Sequence, residues 1–299
     1  MYTIQLTKQT ETQHLAHLYE HIFYIHIDTM LRSEGWFAPV DYSLDAYTDA
    51  GVISIVLDLY DGDLVDTFHE IIRKTVDIDI DFDMEITSIA IRQLEAEYNK
   101  LLVIKSEEKL EQSLRKIHKI EWLVNAKNIK SGQAEFHDDK TISLGDDLDV
   151  KTIAITFPLG HIDQTVRPLC RQIAGLIANT LISDLADTYG GFVVSEAYQV
   201  NDNHELEAVL KLAKSTKLTT GDIDTLYREV VQELSEGGGF GRLIKALRHI
   251  DTIPMPPSNE RTYEDTGVMM DNHAWGEIAT DDNLRKILAE LKYDVTAAF

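Results

Sequence analysis

Cysteine is almost absent: Cys170 is the one thiol in 299 residues. No internal disulfide can form, and the chain fits a reducing compartment. Cys170 itself falls in a long stretch of apolar periodicity and reads as a packed thiol rather than a nucleophile. Positive charge is also scarce, with 28 Lys and Arg against 51 Asp and Glu and a net charge of -23. That balance argues against nucleic acid or an anionic membrane as partner. It suits a soluble protein, or one that receives basic peptides. Long apolar runs are missing, and none approaches the roughly 20 residues of a membrane span. The start, Met1 to Leu6, has neither a basic leader nor an apolar core of signal-peptide length. A cytoplasmic location is therefore expected.

What is present, 44% hydrophobic and 26% charged residues, is an ordinary globular composition, long enough for two medium domains. The pattern predicts a strand over 2–6, a helix from about Thr12 to Leu31, and strands at 40–48 and 51–60 joined by a turn at Asp49-Ala50-Gly51. A helix capped at 61–63 runs to Lys74, and the acidic alternation of 77–83 reads as a connector. A long helix starts near Met84 and runs through Lys100, and it either ends there or goes on, with a bend, into the charged segment 105–119. A polar, acidic link follows at 131–149. Beyond it the order returns: a strand at 152–157, a helix at 164–185, strands at 191–199 and 205–212, and a helix at 220–234 behind a Thr-Gly-Asp cap. Two such units imply an α+β fold of antiparallel-rich sheets with helices packed on one face. The expected domains are 1–130, carrying the chemistry, and 150–299, without it. Gly237 to Gly241 reads as a flexible hinge, Pro254 to Pro257 as a loop, and 281–291 as an amphipathic helix.

The first helix carries His14-Leu15-Ala16-His17-Leu18-Tyr19-Glu20-His21. Leu15, Leu18, Ile22 and Ile25 form its buried stripe, and His14, His17, His21, Tyr24 and Asp28 the neighbouring one. His17, Glu20 and His21 spell H-x-x-E-H. On a helix the two imidazoles lie one turn apart and can grip one zinc ion, with a carboxylate beside them to take a proton from water. His14 is expected behind the metal or at the surface, and His161 in a loop. A catalytic zinc takes a third protein ligand. Arg92-Gln93-Leu94-Glu95-Ala96-Glu97 offers Glu95 and Glu97, which point to nearly opposite sides of a helix. Glu97 extends the inward stripe Ile86, Ala90, Leu94 and is preferred.

With these motifs the chain resembles the pitrilysin-type inverzincin metallopeptidases. The family's ligand glutamate lies at nearly the separation that here runs from His21 to Glu97 (97 − 21 = 76). Phe82-Asp83-Met84-Glu85 is similar to the family's start of that helix, and Leu44-Asp45-Ala46-Tyr47-Thr48 to its Asn-Ala-x-Thr strand, with Asp45 in place of asparagine. The match is specific over about residues 1–100, and over 150–235 only in overall pattern. The chain is shorter than the family's half-molecule.

The resemblance implies a zinc metallopeptidase in which His17, His21 and Glu97 hold Zn2+ and Glu20 is the base. It also implies that Asp45, Ala46, Tyr47 and Thr48 lie on an edge strand that pairs with extended peptide substrate. Family sites are completed by an arginine and a tyrosine, whose places here hold Leu185 and Phe192; Tyr189 is the candidate substitute. The expected partner is therefore a second subunit, as a homodimer or a heterodimer. The rival readings are a non-catalytic scaffold or peptide-binding subunit and a structural zinc protein.

Overall fold

The computed structural model describes residues 2–38, 40–77, 82, 84–125, 141–199, 203–248 and 265–298. The first half runs β1 (Tyr2–Gln9), α1 (Gln13–Ser33), β2 (Tyr42–Asp49), β3 (Val52–Leu59), a short 3-10 turn and α2 (Val65–Asp77). It continues through α3 (Met84–Tyr98), β4 (Lys100–Ile104), α4 (Glu107–His118), β5 (Leu123–Val124) and β6 (Ile142–Asp147). The second half holds β7 (Val150–Pro158), α5 (Arg167–Tyr189), β8 (Phe192–Gln199), β9 (Glu205–Ala213) and α6 (Thr220–Glu236). It closes with α7 (Gly239–Arg248), α8 (Asn272–Ile278), α9 (Asp281–Glu290) and β10 (Asp294–Ala298).

The fold is α+β with antiparallel sheets, and the strand–helix–strand–strand–helix order is present twice. Sheet order is β2-β3-β1-β5 in the first half and β10-β7-β9-β8 in the second. The triplets β2-β3-β1 and β8-β9-β7 correspond, so each half ends on an equivalent edge strand, β2 or β8. In the first half α1 lays Leu15, Leu18, Ile22 and Leu31 onto Ile53, Ile55 and Leu57. In the second, α5 is covered on most sides, with Leu169, Ile173, Ile177 and Leu181 in a core that includes Ile155, Leu210 and Trp275. α3 bridges the two, touching α1 on one side and α5, β8 and β9 on the other.

Three sequence expectations change. The helix from Met84 does not bend onward: it stops at Tyr98, and Asn99 takes a left-handed φ of +52°, which asparagine tolerates. The chain then enters β4, whose partner β6 comes from the stretch read as a polar link; Ile142 of β6 is buried in the first core. The glycine run is a tight corner rather than a hinge. Gly237 ends α6 and α7 starts at Gly239. The ring of Phe37, a first-half residue buried in the second core, fills the space a side chain at Gly237 or Gly239 would need. Third, α6 is capped by Thr219 and Asp222 in a reciprocal capping box, one residue before the expected cap. The 281–291 helix is present as α9, and β10, which extends the second sheet, had no sequence signal we read. The acidic connector, apart from Asp77 and Phe82, and Pro254 to Pro257 lie outside the described residues. Among the described residues no helix is long and apolar enough to cross a membrane.

Candidate metal centre

The start of α1 is fastened to the β2–β3 hairpin before any functional group appears. Thr12 occupies the N-cap with extended backbone, but its side chain makes no capping bond. Gln13 does the fastening: its amide donates to Thr48 O at 3.1 Å, and its Oε1 accepts from Gly51 N at 2.8 Å. This sets the hairpin end over the first turns of α1. Thr48 Oγ1 then donates to Glu20 Oε2 at 2.9 Å.

Glu20 is buried, whereas His17 and His21 are half-buried and face a cleft. Their ring centroids are 5.1 Å apart. From α3, Glu97 Oε2 comes within 3.4 Å of His17 Nε2 and 3.3 Å of His21 Nε2. Among the described residues these three form a group able to hold a metal ion, one donor atom from each lying within 4.8 Å of the others. Glu20 Oε2 stands 3.6 Å from His17 Nε2. Glu95 is elsewhere: its carboxylate accepts from Leu102 N at 2.9 Å and shapes the passage from α3 into β4.

Each imidazole is held by its other nitrogen. His17 Nδ1 meets the Tyr98 hydroxyl at 2.5 Å, and His21 Nδ1 meets Gln93 Oε1 at 2.9 Å. Gln93 in turn donates to Asp187 Oδ1 of α5 at 3.0 Å. Outer partners of this kind orient metal-binding histidines and are costly to lose. Sequence reading missed Tyr98, Gln93 and Asp187. The signal available was helical spacing on α3, where Gln93 precedes Glu97 by one turn.

Burial, then the positive charge of His21, lowers His17 to about 4, so its ring is neutral at ordinary pH. For His21 burial also pulls downward, but the hydrogen bond to Glu97 and the charge of Glu20 outweigh it and the net shift is upward. Glu97 is pressed upward by burial, yet the hydrogen bond from His21 brings it below its ordinary value. Burial raises Glu20 above the usual carboxylate range. A neutral imidazole, an anionic carboxylate and a second imidazole sharing its proton with that carboxylate are a donor set a divalent cation can take over.

The cleft, about 440 Å³, is bordered on one side by β2 and on the other by the end of α5 and the start of β8. Among the described residues β2 is an edge strand, paired with β3 alone. Asp45 and Tyr47 point outward and are exposed; Leu44 and Ala46 lean on the first core. Thr48 commits its hydroxyl to Glu20. Phe192 lines the cleft, Leu185 is fully buried in the second core, and Tyr189 packs against that core without lining the cleft. His14 stands edge-on to Tyr98 with centroids 5.9 Å apart and is not one of the three converging donors. His161 is in an exposed loop, and Cys170 is buried, its thiol pushed up to about 12 by burial.

No protein-family model matches the chain, and no curated protein does. Solved structures resemble it distantly. A protease from Helicobacter pylori aligns over 99% of this chain and 92% of its own, with 11% identity and a TM-score of 0.29. Pitrilysin aligns over 98% of this chain, which spans 44% of pitrilysin, with 12% identity and a TM-score of 0.28. A peptidase M16 inactive domain from Pseudomonas fluorescens aligns over 99% and 92%, with 10% identity and a TM-score of 0.29. Likeness at that level carries nothing about chemistry, which rests on the side chains just described.

Proposed function

We propose that this chain is a zinc-dependent metallopeptidase that cleaves extended peptides. The observation that carries the reading is the meeting of His17 Nε2, His21 Nε2 and Glu97 Oε2 beside the buried carboxylate of Glu20. Two imidazoles and one carboxylate are a zinc donor set that leaves a coordination position open. The hydrogen bonds at both Nδ1 atoms turn both Nε2 atoms toward Glu97. When bound, the ion lowers the pKa of a water and polarises the scissile carbonyl.

The chain's own residues do the rest. Glu20, made more basic by burial and steadied by Thr48, accepts the proton of the attacking water and returns it to the leaving amine. The free edge of β2 along 43–48 receives the substrate backbone as an added strand, so recognition tolerates varied side chains. No lysine or arginine among the described residues lines the cleft. We assign the stabilisation of the developing oxyanion to a second subunit, a further copy or a complementary chain.

The test compares wild type with Glu20→Gln in a peptide-cleavage assay, with metal content measured on both proteins and with candidate partner chains added. Chelator-sensitive cleavage by wild type is expected. The variant should keep its zinc and lose roughly a hundred- to ten-thousand-fold in kcat. Full activity in Glu20→Gln overturns the catalytic assignment. Zinc without cleavage under any pairing points to a structural metal site, and a chain that takes no zinc to a scaffold.

A further inference from the structure

Three elements meet in one line of hydrogen bonds: Asp187 on α5, Gln93 on α3 and His21 on α1. Gln93 is buried, and Asp187 lies at the cleft wall. The polarity of this line follows from what each group can do. Above the value of about 7 to which burial raises it, Asp187 is an ionised carboxylate and only accepts, so Gln93 must turn its NH2 toward Asp187. Its carbonyl oxygen then faces His21, and a carbonyl also only accepts. His21 Nδ1 must therefore carry the proton. That leaves Nε2 as the nitrogen directed at the space shared with His17 and Glu97, and the proton it shares with Glu97 is the one a bound cation would displace. The other histidine is not locked in this way. Its Nδ1 meets the Tyr98 hydroxyl, which can donate or accept and so imposes neither tautomer.

We propose that Asp187 is a positioning residue: acting from the second half through the Gln93 amide, it holds the His21 proton at Nδ1, so that Nε2 is the nitrogen presented to a metal. The value of that placement to the protein rests on the zinc reading above, but the proton at Nδ1 is itself a property of the metal-free chain. The surroundings support the assignment. Arg32 is a cation near the group, but it is engaged by Asp184 and Glu233, and Asp28 and Asp184 both face Asp187 with like charge. Among the described residues, Asp187 is thus left with the Gln93 amide as its hydrogen-bond donor. It is half-buried beside carboxylates at a cost a solvated aspartate would not bear. Gly190, at φ +68°, ends α5 beside Arg92, and a Cβ there would collide with the Arg92 side chain. That close approach sets the end of α5 against the turn of α3 that carries Gln93.

The test reads the Nδ1 proton directly. Long-range 15N–1H correlation spectra of the metal-free full chain at pH 8 are compared for wild type, Asp187→Asn and Asp187→Glu, alongside zinc affinity from chelator competition. Wild type should show His21 protonated at Nδ1. In Asp187→Asn the new amide can donate as well as accept, so Gln93 can turn over. A His21 form without a proton at Nδ1 should appear, and zinc affinity should fall roughly 10- to 100-fold. Asp187→Glu, again an acceptor only, should restore both readings. Gln93→Met, which removes the amide at similar length, should mimic the asparagine variant and serves if that variant does not fold. His21 uniformly protonated at Nδ1, with wild-type zinc affinity, in Asp187→Asn or Gln93→Met overturns the proposal. Because the spectra need neither metal nor turnover, a chain that cleaves nothing would sink the peptidase reading and leave this question answerable.

Discussion

Glu95 and Glu97 sit two residues apart on α3 and serve different ends, one closing a turn and the other facing two histidines. The apolar stripe of Ile86, Ala90 and Leu94 made this division legible, because Glu97 continues that face. Replacing Glu97 with Ala should abolish tight zinc binding while the fold persists. Replacing Glu95 with Ala should leave zinc affinity unchanged and cost about 1 kcal/mol, since Leu102 N loses its acceptor; equilibrium dialysis and denaturant unfolding separate the two. Asp187 was not legible, because nothing in a sequence shows which carboxylate a fold will bury. Burial, then the charges of Asp28 and Asp184, raises it from an ordinary 3.8 to about 7. The folded state therefore holds this proton more tightly than the unfolded chain. The stability it contributes is complete below 3.8 and is lost as pH rises through 7. Asp187→Asn, with no charge to bury, should be more resistant to urea than wild type at pH 8.5, and the difference should shrink steadily as pH falls from 7 toward 3.8. The same substitution is expected to weaken zinc binding, a conflict between stability and function typical of active sites.

Among the elements, α1 and the hairpin it holds were readable in outline because both periodicities are strong. Leu15, Leu18, Ile22 and Ile25 mark the helix, and alternation marks β2 and β3. The short pieces were not. β4 is a five-residue, mostly apolar run too short to be told from a continuing helix, β6 sits in a polar stretch, and the stop of α3 depends on one left-handed residue, Asn99. The glycine run misled for a related reason: glycine at 237 and 239 answers to the bulk of Phe37, which arrives from some two hundred residues away in the chain. The end of α5 offers a sharper test. Gly190→Ala must adopt a positive φ and press on Arg92, so it should cost about 1–3 kcal/mol. It should also loosen Gln93 from Asp187, and unfolding by urea together with chelator competition reads both effects.

At the scale of the molecule, the repeat was legible as a repeated order of elements, whereas the contacts between its halves were not. Arg32 of α1 reaches Asp184 of α5 and both carboxylate oxygens of Glu233 of α6. Arg242 of α7 reaches Asp41, with Nε 2.9 Å from Oδ1. Phe37 anchors the first half in the second core. The candidate metal centre lies where these contacts bring α1, α3 and α5 together. Arg32→Ala would leave Asp28, Asp184 and Asp187 facing one another without their cation. It should cost about 3–5 kcal/mol, visible as a lowered thermal midpoint. The most direct measurement is anomalous diffraction at the zinc edge from crystals grown with zinc. The expected result is a single strong peak bonded to His17 Nε2, His21 Nε2 and a Glu97 oxygen, with Glu20 alongside but not ligating. A peak elsewhere, or none between these three side chains, contradicts the metal centre and with it the proposed peptidase.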